Sequence, residues 1–183
     1  MLCKVQQILE SLFKLKVLGN LKYFLGLELA RSPEGIVLSQ RKYTLNILED
    51  TNFNDAKATL LPTETNLRLS ASDGELLDDP VIYRSIIGRF MYLTISRPDI
   101  TYVVFTLSQF WSQSHSTHLH ALHYLLRYLK GTTGQGLLFF AKLDMRLMAY
   151  VDADWAGCLD TRGSVIGFCV FIGDSVSWRS KKQ

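Results

Sequence analysis

Between Asp79 and Gly131 three apolar stripes at helical spacing follow one another directly, and this succession limits the folds open to the chain more than any other feature. Asp79-Pro80 supplies a cap and a proline at the first helical position, after which Ile82, Ile86, Phe90 and Leu93 run down one face. Arg97-Pro98-Asp99 repeats the device: proline sits early, Asp99 complements the positive helix end, and Ile100, Val103, Val104, Leu107 and Trp111 form the inward stripe. The third helix is predicted from about Thr117 to Lys130, with Leu119, Leu122, Leu126 and Leu129 inward and Gly131 past its end. Three amphipathic helices in a row bury their stripes by packing on one another, so this stretch reads as a small bundle.

Strand patterns flank the bundle and make the chain α+β. Upstream, Val5, Ile8, Leu9, Leu12 and Phe13 predict an amphipathic helix that Gly19 closes. Tyr23 to Arg31 and Ile36 to Gln40 predict a hairpin around Ser32-Pro33-Glu34-Gly35, where proline fixes one dihedral and glycine permits a positive one. Ser39 is placed to cap a helix from about Gln40 to Asp50, with Tyr43, Ile47 and Leu48 inward. From Asn54 to Asp79 the periodicity fails and Thr, Ser, Asn, Asp and Pro62 accumulate, which reads as an irregular linker containing a domain boundary. Downstream, strands are expected at Leu137 to Phe140, Leu147 to Asp152, Val165 to Ile172 and Val176 to Arg179, with Gly173-Asp174 as a hairpin turn, all in one antiparallel sheet.

At 48% apolar and 20% charged residues the composition is that of a globular chain, and a net charge of +3 permits nucleic-acid binding without arguing for it. Cys3, Cys158 and Cys169 have no zinc-like spacing, and their odd count points to reduced thiols in an intracellular protein. The start of the chain lacks the apolar core of a signal peptide, and no run approaches the ~18 apolar residues of a membrane span. A soluble, intracellular protein is the expectation.

Chemistry is suggested first by Tyr150-Val151-Asp152-Ala153-Asp154-Trp155, where an apolar run delivers two acids two residues apart. On a strand both point to one face and can reach a hard cation; alternatively each ends the strand in a turn and satisfies backbone donors. Beyond them stand only Asp160 and Asp174, both expected in turns. Asp78-Asp79 resembles an acid pair but precedes a proline and follows no strand, so it reads as loop and cap. His115, His118, His120 and His123 invite a zinc reading, yet no nearby acid or cysteine completes four ligands, and a polar helix face is the better account.

The stretch Tyr150 to Cys158, with Asp160-Thr161-Arg162, Gly167-Phe168-Cys169-Val170-Phe171 and Ser177 to Gln183, resembles the start of the ribonuclease H domain of copia-type LTR retrotransposon polyproteins. Leu18-Gly19-Asn20-Leu21-Lys22-Tyr23-Phe24-Leu25-Gly26, Leu38 to Tyr43, Ser96 to Tyr102 and Leu126 to Gly131 are similar to the end of that family's reverse transcriptase and its connection. The resemblance implies a palm remnant and first thumb helix over 1–53, a linker over 54–79, a helical thumb/connection bundle over 80–134 and an incomplete antiparallel ribonuclease H-like sheet over 135–183. It places the family's first catalytic, magnesium-binding acid at Asp152, with Asp154 as a further metal candidate. It makes Arg41, Lys42, Arg89, Arg127 and Lys130, with Arg84 and Arg97 beside them, candidates to follow the phosphates of an RNA/DNA template-primer or hybrid; solvated helix faces look the same in sequence.

The family's aromatic-X-Asp-Asp polymerase turn and its later ribonuclease H acids are both missing from the sequence. The implied protein is therefore a polyprotein fragment that catalyses nothing by itself, with magnesium a cofactor of the parent enzyme. A binding module made from the same fragment is the alternative, and an uncovered sheet face would favour self-association. Val17, and Gly163 with Val165-Ile166, depart from the family pattern without disturbing the strand periodicity.

Overall fold

The computed structural model describes residues 2–14, 19–144 and 146–182, apart from the side chains of residues 2, 3 and 174–176. Helix α1 (Leu2–Leu12) is amphipathic as expected, yet its stripe stays in solvent, with Val5 49%, Ile8 57% and Leu12 68% exposed. It ends well before Gly19; residues 15–18, Val17 among them, and the side chain of Cys3 lie outside the described residues.

Four strands form the first sheet, in the order β1 (Tyr23–Phe24), β2 (Leu27–Ser32), β3 (Gly35–Ser39), β4 (Gly136–Phe140), each antiparallel to its neighbour. The strand expected to run unbroken from Tyr23 turns instead at Leu25 and Gly26, whose φ values of 49° and 78° reverse the chain. The hairpin of β2 and β3 follows the prediction, with Ser32 opposite Gly35. Strand β4 overturns one: its register runs from Gly35 opposite Phe140 to Ser39 opposite Gly136, so it belongs to this sheet and not to the later one. A four-residue apolar run carries no record of its partner, and here the partner lies a hundred residues upstream. The close approach uses glycine, since a Cβ on Gly35 would stand 2.0 Å from the Phe139 carbonyl oxygen.

The core is helical. Helices α2 (Arg41–Asp50), α3 (Val81–Leu93), α4 (Thr101–Ser108, entered through a 3₁₀ turn at Pro98–Ile100) and α5 (Ser116–Gly131) share one apolar cluster containing Ile47, Leu48, Phe90, Leu107, Leu122 and Leu126. Two inward assignments are corrected. Ile82 is 60% exposed because the stripe of α3 is rotated toward Tyr83 and Ile87, both fully buried; Trp111 is 41% exposed because α4 stops at Ser108, and Phe110 takes the inward place. Ser39 does not cap α2. Glu28 of β2 accepts the Lys42 N–H at 2.6 Å instead, and Gln40 turns inward to accept from the Ser96 hydroxyl at 2.8 Å. Asp79 does cap α3, accepting the Val81 N–H at 2.8 Å.

Residues 54–79 carry no helix or strand, only the isolated bridge between Leu76 and His115. They are nevertheless bound down: Leu67, Leu69 and Leu77 pack on the core, the Leu77 N–H donates to the Ser114 carbonyl at 3.0 Å, and the Thr117 hydroxyl donates to the Asp73 carbonyl at 2.6 Å. Because α2 and α3–α5 share one cluster, this segment straps a single core.

The second sheet is β5 (Leu147–Ala153), β6 (Val165–Ile172) and β7 (Asp174–Lys182), antiparallel in that order, with Gly173 at φ 67° turning β6 into β7. It is tied to the helices where the Trp178 indole donates to the Thr94 carbonyl at 2.9 Å, and to the strap where Asp160 accepts from the Ser70 hydroxyl at 2.6 Å and the Ala71 N–H at 2.9 Å. No helix among the described residues is long and apolar enough to cross a membrane.

Candidate functional site

In the second sheet Asp152 lies opposite Gly167, which lies opposite Ser180, and the next row down is Tyr150, Cys169 and Trp178. Cross-strand partners share a face, so Asp152 stands on the side that Trp178 fixes against the helices. There the sheet, the 3₁₀ turn and the start of α4 enclose a groove of about 470 Å³, lined by Pro98, Tyr102, Tyr150, Asp152, Trp178 and Arg179 among others. Gly167 leaves open space in the row of Asp152, since nothing lies within 4 Å of where its Cβ would be. The carboxylate of Asp152 is exposed. It can accept hydrogen bonds or serve as one ligand to a hard cation, with the other oxygens supplied from elsewhere.

Asp154 is two residues on but is not brought to that task. The strand ends at Ala153, and Asp154 folds its side chain into the following turn, where one carboxylate oxygen accepts the Val165 N–H while its own N–H donates to the Val165 carbonyl at 3.1 Å. Gly157 is part of this arrangement, because a Cβ there would meet the other carboxylate oxygen at 2.3 Å. Asp160, in its turn, faces the strap, and the side chain of Asp174, which opens β7, lies outside the described residues. Among the described residues no three His, Cys, Asp or Glu side chains gather around a common point.

The histidines divide, and for His118 the polar-face expectation is corrected. Its ring is fully buried, stacked 3.9 Å from the Phe110 ring, with Nδ1 accepting the His115 N–H at 2.9 Å and Nε2 3.0 Å from the Ser70 carbonyl. Accepting at Nδ1 puts the proton on Nε2, so the neutral ring satisfies both partners. Burial lowers its pKa from the ordinary 6.5, more than the Ser70 carbonyl raises it. The ring reaches back from the third helical position to the residue before the helix, as a capping glutamate would, so the spacing His115-x-x-His118 was the available signal. His123 rests on Phe53, and burial lowers its pKa as well.

The basic residues also separate. Arg97 is 1% exposed and bonded to Asp99 and Thr132, which removes it from any phosphate-binding set. Arg84 donates to the Trp111 and Ser112 carbonyls at 2.8 and 3.1 Å, Arg89 pairs with Asp50 at 2.8 Å, and Arg127 donates to the Lys57 carbonyl at 2.9 Å. Arg41 and Lys42 are exposed on the first turn of α2, with the Lys42 ammonium 5.9 Å from the centre of the Tyr23 ring; Lys130 is half-buried near the end of α5.

Comparison with known proteins finds relatives along most of the chain. A family model described as reverse transcriptase (RNA-dependent DNA polymerase) matches residues 1–65. The chain is 43% identical, over 96% of its length, to the retrovirus-related Pol polyprotein from transposon RE2 of Arabidopsis thaliana, and 35% identical, over its full length, to that from transposon TNT 1-94 of Nicotiana tabacum. It spans 12% and 14% of those two polyproteins. It is also 39% identical, over 96% of its length, to an uncharacterized mitochondrial protein of Arabidopsis thaliana, of which it covers 73%. No solved structure matches the chain.

Proposed function

The chain belongs to the copia-type retrotransposon Pol polyproteins, and from that premise we propose that it is the joint between their two enzymes, running from the rear of the reverse transcriptase palm through thumb and connection helices into the opening strands of ribonuclease H. In this reading β1–β4 close the palm side, α2–α5 are the helical connection, and β5–β7 begin the ribonuclease H sheet. The joint is structural and catalyses nothing alone. The observation that carries this is the isolation of Asp152: among the described residues its groove holds that one carboxylate, while Asp154 and Asp160 are bonded to the protein's own backbone.

Within the whole polyprotein Asp152 would be one ligand of a magnesium ion, whose role would be to polarise a phosphodiester and its attacking water. The test is magnesium-dependent cleavage of a labelled RNA/DNA hybrid by the purified chain and by Asp152→Asn. Equal background from both is expected; cleavage by the parent chain that the substitution abolishes refutes the structural reading.

A binding role for the same piece has its own support. Arg41 and Lys42 place two exposed cations on the first turn of α2, and on the sheet face away from the helices Leu147 and Val151 are 73% and 71% exposed, a surface suited to self-association. Nucleic-acid binding through these cations should weaken as salt rises and weaken further in Arg41→Ala/Lys42→Ala. Binding indifferent to both changes eliminates the phosphate version.

A further inference from the structure

The loop that returns β5 to β6 carries a thiol with an unusual neighbour. Cys158 is half-buried, and the Lys182 ammonium near the end of β7 donates to its sulfur at 3.0 Å. The Thr161 hydroxyl and the backbone N–H groups of Asp160 and Thr161 lie near enough to favour the thiolate as well. Asp160, the acid nearest in sequence, turns its two carboxylate oxygens to Ser70 and Ala71; the Lys182 charge reaches it, but among the described residues the two form no salt bridge. Lys182 is held from the other side by its place in the ladder opposite Val165, a buried residue. Both partners are thus positioned by elements that are themselves fixed, the turn after β5 and the last strand of the sheet.

We propose that Cys158 and Lys182 form a peroxide-responsive pair, in which oxidation of the sulfur is followed by closure of a covalent sulfur–nitrogen bridge between the two side chains. In the first step the thiolate sulfur attacks one oxygen of hydrogen peroxide, the O–O bond breaks, and the departing hydroxide takes a proton from the Lys182 ammonium, leaving a sulfenic acid, a neutral amine and water. In the second the amine nitrogen, already in contact with the sulfur, displaces the sulfenic hydroxyl; the S–N bond forms, the S–O bond breaks, and the amine proton leaves with the hydroxyl as a second water. One thiol, one amine and one peroxide become one sulfenamide and two waters, sulfur being oxidised by two electrons and peroxide reduced by two. An external thiol reverses the bridge by attacking sulfur and releasing the amine.

Two features favour this course over ordinary oxidation. Burial alone would raise the thiol's pKa, but the Lys182 ammonium and the Thr161 and Asp160 donors bring it down to about 7, so an appreciable fraction is nucleophilic at neutral pH. The donor that stabilises the thiolate is also the nucleophile that traps the product, so the sulfenic acid forms within reach of its partner. The bridge would pin the β5–β6 loop to the end of β7, 24 residues away along the chain.

The test is mass spectrometry of the 183-residue chain after one equivalent of hydrogen peroxide. The expected product joins the peptides containing Cys158 and Lys182, is about 2 Da lighter than their sum, and is restored by dithiothreitol. Lys182→Arg keeps the positive charge but should stop at a sulfenic acid about 16 Da heavier, trapped by dimedone. Circular dichroism of that variant distinguishes a lost nucleophile from a lost fold, and Cys158→Ser provides the blank. Dimedone labelling of Cys158 to the same extent in the parent chain and in Lys182→Arg, or peroxide that spares Cys158 while oxidising other residues, overturns the proposal.

Discussion

Replacing Arg97 with alanine should be among the most damaging single changes outside the apolar cluster. The guanidinium is 2% exposed at its side chain and joins the entry of α4 to the exit of α5: Nε and Nη2 donate to the two oxygens of Asp99 at 2.9 and 2.7 Å, and Nη1 and Nη2 donate to the Thr132 carbonyl and hydroxyl at 3.0 and 2.8 Å. Asp99 has one other side-chain donor, the Tyr128 hydroxyl at 2.8 Å. Removing one member of a buried ion pair costs about 3–5 kcal/mol, because the other charge loses its partner while remaining desolvated. The Asp99 side chain is still 31% exposed, and water can therefore recover part of the loss. The lower end, about 3 kcal/mol or roughly 150-fold in the folding equilibrium, is the expected cost. Urea unfolding followed by tryptophan fluorescence measures it, with the slope unchanged if only stability has moved. Arg97→Lys, which keeps the charge but loses the fork, should fall between. The same contacts set an acid dependence. Burial would raise the Asp99 pKa, but the hydrogen bonds and charge of Arg97, with the Tyr128 hydroxyl, outweigh it and hold the group below its ordinary 3.8. A depressed carboxylate pKa contributes stability above the unfolded value that is lost as pH falls through the folded one, so the parent chain should lose more stability than Arg97→Ala as acid is added below about pH 4. A cost under about 1 kcal/mol with parallel acid curves would mean that the network is not what joins these helices.

Two other changes test the strap and the first sheet. Because the buried His118 has a lowered pKa, its contribution is complete above the unfolded value of 6.5 and drains as pH falls from there through the folded value; His118→Gln should flatten that part of the stability curve, His123 supplying the remainder, and identical slopes in the two chains would refute the neutral, doubly bonded ring. Gly35→Ala should cost more than about 2 kcal/mol in thermal or urea unfolding, since the new Cβ would meet the Phe139 carbonyl at 2.0 Å; a neutral outcome would mean that β4 does not lie beside β3.

What the sequence disclosed, and what it withheld, follows the range of the interactions. The helices were legible because their information is local: period, proline and cap lie within a few residues, and Asp79 caps α3 where its position implied. Their rotation was less legible, since Ile82 and Tyr83 are neighbours on a wheel and only the partner helices decide which turns inward. The pairing of β4 with β3 was illegible, because period-two alternation specifies faces without specifying partners. The strap's seating is hidden for a related reason. A stretch poor in periodicity looks like a linker, yet its apolar residues Leu67, Leu69 and Leu77 are enough to seat it, and the bonds that hold it come from His118, Thr117 and Asp160.

The acids show the same division within one turn of chain. Asp152, Asp154 and Asp160 are chemically equivalent in sequence, and spacing alone made the first two a pair. In the structure they do three different things: Asp152 looks into a groove, Asp154 closes the turn that follows it, and Asp160 ties that turn to the strap across the helices. A short carboxylate at a strand end meets unsatisfied backbone donors before it meets anything else, and each N–H so bonded offsets a desolvation cost of about 1–3 kcal/mol. Recruiting Asp154 to a cation would leave the Val165 N–H without its acceptor, so a metal at Asp152 gains little from its neighbour and depends on oxygens beyond these three acids. The loop that isolates Asp152 is also the one that holds Cys158 against Lys182, and both effects come from its being pinned at Asp154 and at Asp160.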